Sequence, residues 1–108
     1  MAIDTRSVDN GSTLVIRIAG EFDFNLVNEF RRAYEDHPGY DRYVVDLGVT
    51  ESIDSSALGM LLNMDRFLPE HARPIEIVNG NRVVNRVLEI ARFEQKFRIG
   101  KADFGRGA

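Results

Sequence analysis

The run Tyr43-Val44-Val45-Asp46-Leu47 constrains this chain most, because it is short, mostly apolar and set between two longer stretches whose apolar residues recur at helical spacing. Such a run reads as a strand near the centre of a sheet, covered on both faces by helices. Before it, Leu26, Val27, Phe30, Ala33 and Tyr34 form one helical stripe, with Asp23 or Asn25 available to cap the first turn and Pro38-Gly39 to end it. After it, Leu58, Leu61, Leu62 and Leu68 mark the buried stripe of a second helix that stops at Pro69.

The remaining elements extend this alternation. Leu14, Ile16 and Ile18 alternate with smaller or charged residues, the pattern of a strand with one buried face, and the turn signal Asn10-Gly11 makes Ile3 to Val8 its hairpin partner. Ile75-Glu76-Ile77-Val78 reads as a strand. The turn Asn79-Gly80 follows it, then a third helix with Val83, Val84, Val87, Leu88 and Ala91 on one face, and Phe97-Arg98-Ile99 adds a last edge strand. The segment Gly48 to Ile53 is expected to be a loop. The order β-β-α-β-α-β-α-β implies an α/β fold with a mixed, largely parallel sheet flanked by amphipathic helices and right-handed crossovers. In such sheets ligands and partners gather at the carboxyl ends of the strands, an edge reached here by Gly20 to Asn25 and by Gly48 to Ser56.

At 108 residues the chain holds one core, so residues 1–99 are expected to be a single domain and the Gly-rich residues 100–108 a flexible tail. No apolar run approaches the roughly 20 residues that span a bilayer, and Met1 to Asn10 has no apolar signal-peptide core, so a cytoplasmic location and no membrane partner are expected. With no cysteine there is no disulfide framework, no thiolate nucleophile and no cysteine-based zinc site. The net charge is −3, and the basic residues do not cluster; Arg31, Arg32, Arg82, Arg86 and Arg92 fall on helices among acidic neighbours as solvated faces. Nucleic acid is not an expected partner, and neither a cofactor nor a metal site is expected.

The segment Ile53-Asp54-Ser55-Ser56-Ala57-Leu58-Gly59 carries the chemistry, where a strand-to-helix loop becomes the second helix. Asp and Ser side chains satisfy the free N–H groups of a first helical turn, so a plain cap is one reading. A cap needs one such residue, however, and three stand here in a row ahead of the small residues Ala57 and Gly59. A hydroxyl at this position can also take a phosphate, which a helix N-terminus tolerates.

Together with Ile18-Ala19-Gly20-Glu21-Phe22-Asp23, Val44-Val45-Asp46-Leu47 and Val84-Asn85-Arg86-Val87-Leu88-Glu89-Ile90 followed by Phe97, this segment resembles the STAS domains of anti-sigma factor antagonists. The matching elements run in the family's order over roughly residues 3–99. The resemblance implies a non-enzymatic, phosphorylation-controlled switch that binds an anti-sigma factor, which is also its serine kinase, when unphosphorylated; phosphorylation releases the partner and a serine phosphatase resets it. The implied phosphoacceptor is Ser55, with Ser56 as the alternative, and the implied partner-binding residues are Asp23, Phe24, Asn25, Asp54, Ser56 and Leu58. Asp23 serves equally as a helix cap. Ala57 stands where the family commonly has glycine, Ala91-Arg92-Phe93 lacks the usual glycine, and the final helix of many members is not evident in Lys101 to Ala108. The same resemblance allows another client: a signalling enzyme, a sensory complex or a transporter.

Other chemistries lack their parts. A receiver domain phosphorylated at Asp46 needs an acidic pair after its first strand, and none follows Ile3 to Val8. A serine hydrolase needs a histidine base, whereas His37 and His71 lie in expected loops and there is no Gly-x-Ser-x-Gly elbow. No Gly-x-x-x-x-Gly-Lys phosphate loop is present.

Overall fold

The computed structural model describes residues 2–103. Along the chain run β1 (Ile3–Val8), β2 (Thr13–Ile18), β3 (Gly20–Phe22), α1 (Val27–Glu35), β4 (Arg42–Asp46), β5 (Thr50–Ile53), α2 (Ser55–Phe67), β6 (Glu76–Val78), α3 (Arg82–Ile90) and β7 (Arg98–Gly100). The main sheet has the order β1-β2-β4-β6-β7, antiparallel between β1 and β2 and parallel elsewhere. The mixed, largely parallel α/β architecture expected from the alternating pattern is therefore present, with β4 at the centre of the sheet and β7 at its edge.

Two strands are additional. The segment expected to be a loop contains β5, which pairs in parallel with β3 as a separate two-stranded sheet, in the register Gly20↔Thr50, Glu21↔Ser52 and Phe22↔Ile53. Both strands are too short, and β5 too polar, to show a period-2 pattern. The chain leaves the main sheet at Gly20, whose φ of +81° lies in the left-handed region that glycine tolerates. The Gly20 N–H then donates to the Val49 carbonyl at 3.0 Å. Thr50 joins the two sheets: its buried hydroxyl donates to the Ile18 carbonyl at 2.6 Å, and its N–H to the Leu47 carbonyl at 3.1 Å.

The expectation that β4 is covered by helices on both faces is corrected. Among the described residues, the buried apolar side chains of all three helices join one cluster with Leu14, Ile16, Ile18, Tyr43, Val45 and Leu47. On the other face Val44 packs with Val15 and Val78, with Val8 and Ala102 beside them. The buried stripe of α2 is also turned from the leucine pattern, since Ala57, Met60, Leu61 and Met64 face the core while Leu58 and Leu62 are half-buried. In α3, Val84 and Leu88 are buried but Val83 is exposed, and Ala91 is the exposed C-cap. Gly100 ends β7, and Ala102 is held by Asn79, which accepts from its N–H at 3.0 Å and donates to its carbonyl at 2.6 Å. Residues 104–108 of the expected tail lie outside the described residues. Among the described residues no helix is long and apolar enough to cross a membrane.

Thr50→Val should test the joint between the sheets. It keeps the shape but strands the Ile18 carbonyl without its donor, for an expected loss of about 1–3 kcal/mol, whereas Thr50→Ser should lose less. Urea midpoints of the three proteins decide; equal midpoints for Thr50→Val and the parent would mean that the hydroxyl joins nothing.

Candidate functional site

The β3–β5 ladder ends at the pair Phe22↔Ile53, so the two chains emerge side by side and each turns at once into helical structure. Each turn is capped by the aspartate directly after its strand. Asp23 has extended backbone angles and accepts the Asn25 N–H at 3.0 Å, capping the single 3-10 turn Phe24–Leu26 that leads into α1. Asp54, likewise extended, accepts the Ala57 N–H at 3.0 Å and the Ser56 hydroxyl at 2.8 Å on one oxygen, capping α2. The free amides of a first helical turn make aspartate a good cap at both places. The bonds from the Ala57 N–H and from the Ser56 hydroxyl hold the Asp54 carboxyl below its ordinary value of 3.8.

The two serines are thereby made unequal. Ser56 is half-buried and its hydroxyl is committed to Asp54. Ser55, the first residue of α2, is exposed, and its hydroxyl has no partner among the described residues. Phe24 leaves 67% of its surface open on the same edge, an unusual exposure for a large apolar side chain, and Asn25 beside it is exposed too. Leu58 is half-buried and packs against the core, so only part of it faces outward. The structure thus brings Asp23, Phe24 and Asn25 to one edge with Asp54, Ser55 and Ser56, and sets Leu58 about one turn along α2.

Asn81 belongs to this site and escaped the reading of the sequence. Its Oδ1 caps α3 by accepting the Val84 N–H at 2.8 Å, while its Nδ2 donates to the Thr50 and Glu51 carbonyls at 3.3 and 3.2 Å, bracing β5 from the third helix. The capping role has a local signal, an Asn just ahead of an apolar stripe. The brace spans some thirty residues of chain and has none. Asp46 is buried, its Oδ1 taken by the Gly48 N–H at 2.9 Å and by Asn79 Nδ2 at 3.3 Å, with Arg17 at 3.7 Å, which makes it a structural carboxylate. His37 bonds the Ala33 carbonyl through Nδ1 at 3.0 Å, at the end of α1.

A family model described as "Mlab, STAS domain" matches residues 6–100. Over 100 residues the chain is 41% identical to a STAS-domain containing protein of Pseudomonas aeruginosa (strain UCBPP-PA14), a match spanning 92% of this chain and 99% of the relative. Among solved structures it resembles a protein of Thermotoga maritima described as a candidate anti-sigma factor antagonist, with a TM-score of 0.80, 22% identity, and 93% of this chain and 86% of the other covered. It also resembles the anti-sigma factor antagonist SpoIIAA in its unphosphorylated form, with a TM-score of 0.68 and 21% identity over 94% and 90% of the two chains. A third, an anti-sigma factor antagonist of Mycobacterium paratuberculosis, gives a TM-score of 0.76 and 19% identity over 93% and 86%. At these identities the solved structures speak for the fold alone.

The Asp54 cap predicts a pH signature. A carboxyl lowered in the folded state stabilises it above its unfolded value and stops doing so as pH falls through the lowered value. Asp54→Ala should therefore cost about 1 kcal/mol near neutrality, and the gap to the parent should close below about pH 4. Urea unfolding of both proteins across that range is the measurement; a gap that stays constant into acid would contradict the assignment.

Proposed function

The chain belongs to the STAS domain family, and from that membership we propose that it is a non-catalytic protein-binding switch, an anti-sigma factor antagonist controlled by phosphorylation of Ser55 in the cytoplasm. The observation that carries this reading is the contrast between the two serines. One hydroxyl is exposed and unpartnered, while its neighbour is half-buried and spent on the helix cap. A kinase needs an accessible nucleophile, so Ser55 is favoured over Ser56 as the acceptor.

The unmodified surface, with Phe24 as its exposed apolar anchor and Asp23, Asn25, Asp54, Ser56 and part of Leu58 around it, binds the partner. An aromatic side chain that loses its exposed surface on association is the usual seat of binding energy in a protein interface. A phosphate brings close to two negative charges to an edge that already carries Asp23 and Asp54, so it must be desolvated within an interface shaped for a neutral hydroxyl. Release follows from charge alone, because Ala57, Met60 and Leu61 keep α2 in the core on its other side. The partner implied by the resemblance is an anti-sigma factor that is also the serine kinase, with a phosphatase restoring the free hydroxyl.

A second reading keeps the switch and changes the client to a signalling enzyme, a sensory complex or a transporter. It is favoured by the family model and the 41% identical relative, both of which carry the STAS name without a client.

Intact-mass and peptide mapping of protein isolated from its own cells should find one phosphate, on Ser55. In binding measurements Ser55→Ala should hold the partner constitutively, Ser55→Asp should bind it at least about tenfold more weakly, a loss of roughly 1.4 kcal/mol, and Ser56→Ala should remain a substrate. Equal affinity of the Ala and Asp variants, or phosphate confined to Ser56, would sink the reading. Capture with the two Ser55 variants also names the client.

A further inference from the structure

The main sheet ends in two unequal edges. At one, β7 has three residues; at the other, β1 has six and pairs only with β2. The Ala2 carbonyl accepts the Ala19 N–H at 2.8 Å, so the alternation of an antiparallel ladder turns the backbone groups of Asp4, Arg6 and Val8 toward β2 and those of Ile3, Thr5 and Ser7 outward. The Ile3 N–H fits this phase, since it donates away from β2 to Glu29 Oε2 at 3.2 Å. No described strand takes up the backbone groups of Thr5 and Ser7, and both residues are exposed. An edge of this length is a template for another strand unless its side chains forbid the approach.

The charges on β1 forbid some approaches and favour one. Asp4 and Arg6 lie on the face of the sheet away from the helices, where they line one groove with Arg17 and Asp46. Neither Asp4 nor Arg6 forms an ion pair or side-chain hydrogen bond with a described residue. We propose that β1 is a self-association edge, where a second copy of this chain pairs its own β1 in antiparallel about a twofold axis at Thr5 and joins the two five-stranded sheets into one. Outward groups must meet outward groups, so the axis falls on a residue, and the middle of the strand gives three choices. An axis at Asp4 sets Asp4 against Asp4, and one at Arg6 sets Arg6 against Arg6, both like-charge pairs at the closest approach of two strands. At Thr5, Asp4 meets Arg6 of the second copy, twice. The sign then alternates along one row of side chains, Asp46, Arg17, Asp4 and Arg6 of the second copy, the first two already 3.7 Å apart. A second copy carries this matching order by symmetry, which an unrelated strand does not. The two Thr5 residues exchange backbone bonds, and each Ser7 N–H finds the Ile3 carbonyl across the axis. Glu29 yields the Ile3 N–H to the Ser7 carbonyl of the second copy by rotating its side chain. No residue of the proposed switch lies on β1, so either reading can fail without the other.

Sedimentation velocity of the full chain from about 5 µM to about 1 mM should show a reversible monomer–dimer equilibrium with Kd about 0.1 mM or tighter. Asp4→Arg and Arg6→Asp each set like charges opposite one another and should each weaken it at least about tenfold, whereas the Asp4→Arg/Arg6→Asp exchange should return it to within about threefold of the parent. Thr5→Pro removes an outward N–H that the β1–β2 ladder does not use, and should abolish pairing while thermal unfolding followed by circular dichroism stays cooperative. If Thr5→Pro does not fold, the charge exchange decides. A chain that stays monomeric to about 1 mM, a dimer that survives Thr5→Pro, or single charge variants that pair as tightly as the exchange would overturn the proposal.

Discussion

The buried Thr50 hydroxyl, bonded to the Ile18 carbonyl, is the joint on which the candidate site depends. The main sheet ends its second strand at Ile18, and the chain must then leave that sheet without leaving a polar backbone group unsatisfied in the core. Thr50 meets that demand from the neighbouring strand β5, and Gly20, in its left-handed conformation, turns the chain onto β5. The small parallel ladder that results puts Phe22 and Ile53 into the hydrophobic core. Its consequence is positional: two aspartates, each directly after a strand, emerge next to one another and begin two helical segments. Asn81 then holds the first two residues of β5 from the cap of α3, so three separate stretches of chain fix one edge.

Most of the main sheet was legible because its signals are local. Leu14, Ile16 and Ile18 alternate cleanly, Tyr43 to Leu47 is an uninterrupted run, and the stripes of the helices repeat at 3.6. The ladder between β3 and β5 was not legible, since Gly20-Glu21-Phe22 and Thr50-Glu51-Ser52-Ile53 are too short and too polar to show any period; they are strands because they meet each other. The same holds for the far face of β4. Val44 looks from sequence like a residue beneath a helix, whereas it is buried by Val15 and Val78 of its own sheet. In α2 Leu61 and Leu68 are buried as expected, whereas Leu58 and Leu62 are only half-buried and Ala57, Met60 and Met64 complete the side nearest the core. The site residues were legible as a motif. The difference between Ser55 and Ser56 was not, as it arises from which hydroxyl the Asp54 carboxylate reaches.

That difference has a simple electrostatic origin. A helix of α2's length presents unsatisfied N–H groups at its start, and Asp54 takes one of them while drawing the Ser56 hydroxyl onto the same oxygen. Ser56 is thus part of the structure of the cap. Ser55 is left over: it occupies the first helical position, is exposed, and its hydroxyl has no partner among the described residues. A residue that the fold does not use can be modified without cost to the fold, which is what the proposed phosphorylation at Ser55 requires.

The length of α2 extends this separation of duties across the molecule. Thirteen residues span about 20 Å, so a charge placed at Ser55 lies beyond the reach of direct coupling to the far end of the helix at ordinary ionic strength. Along it Ala57, Met60, Leu61 and Met64 lie in one continuous core with Phe22, Phe30 and Tyr34, whose rings follow one another at 5.1 and 5.6 Å, tilted and then edge-on. Coupling between distant sites needs an element with two packing arrangements, and these contacts describe one. Charge added at Ser55 under the proposed function would therefore act first at the edge where it is placed.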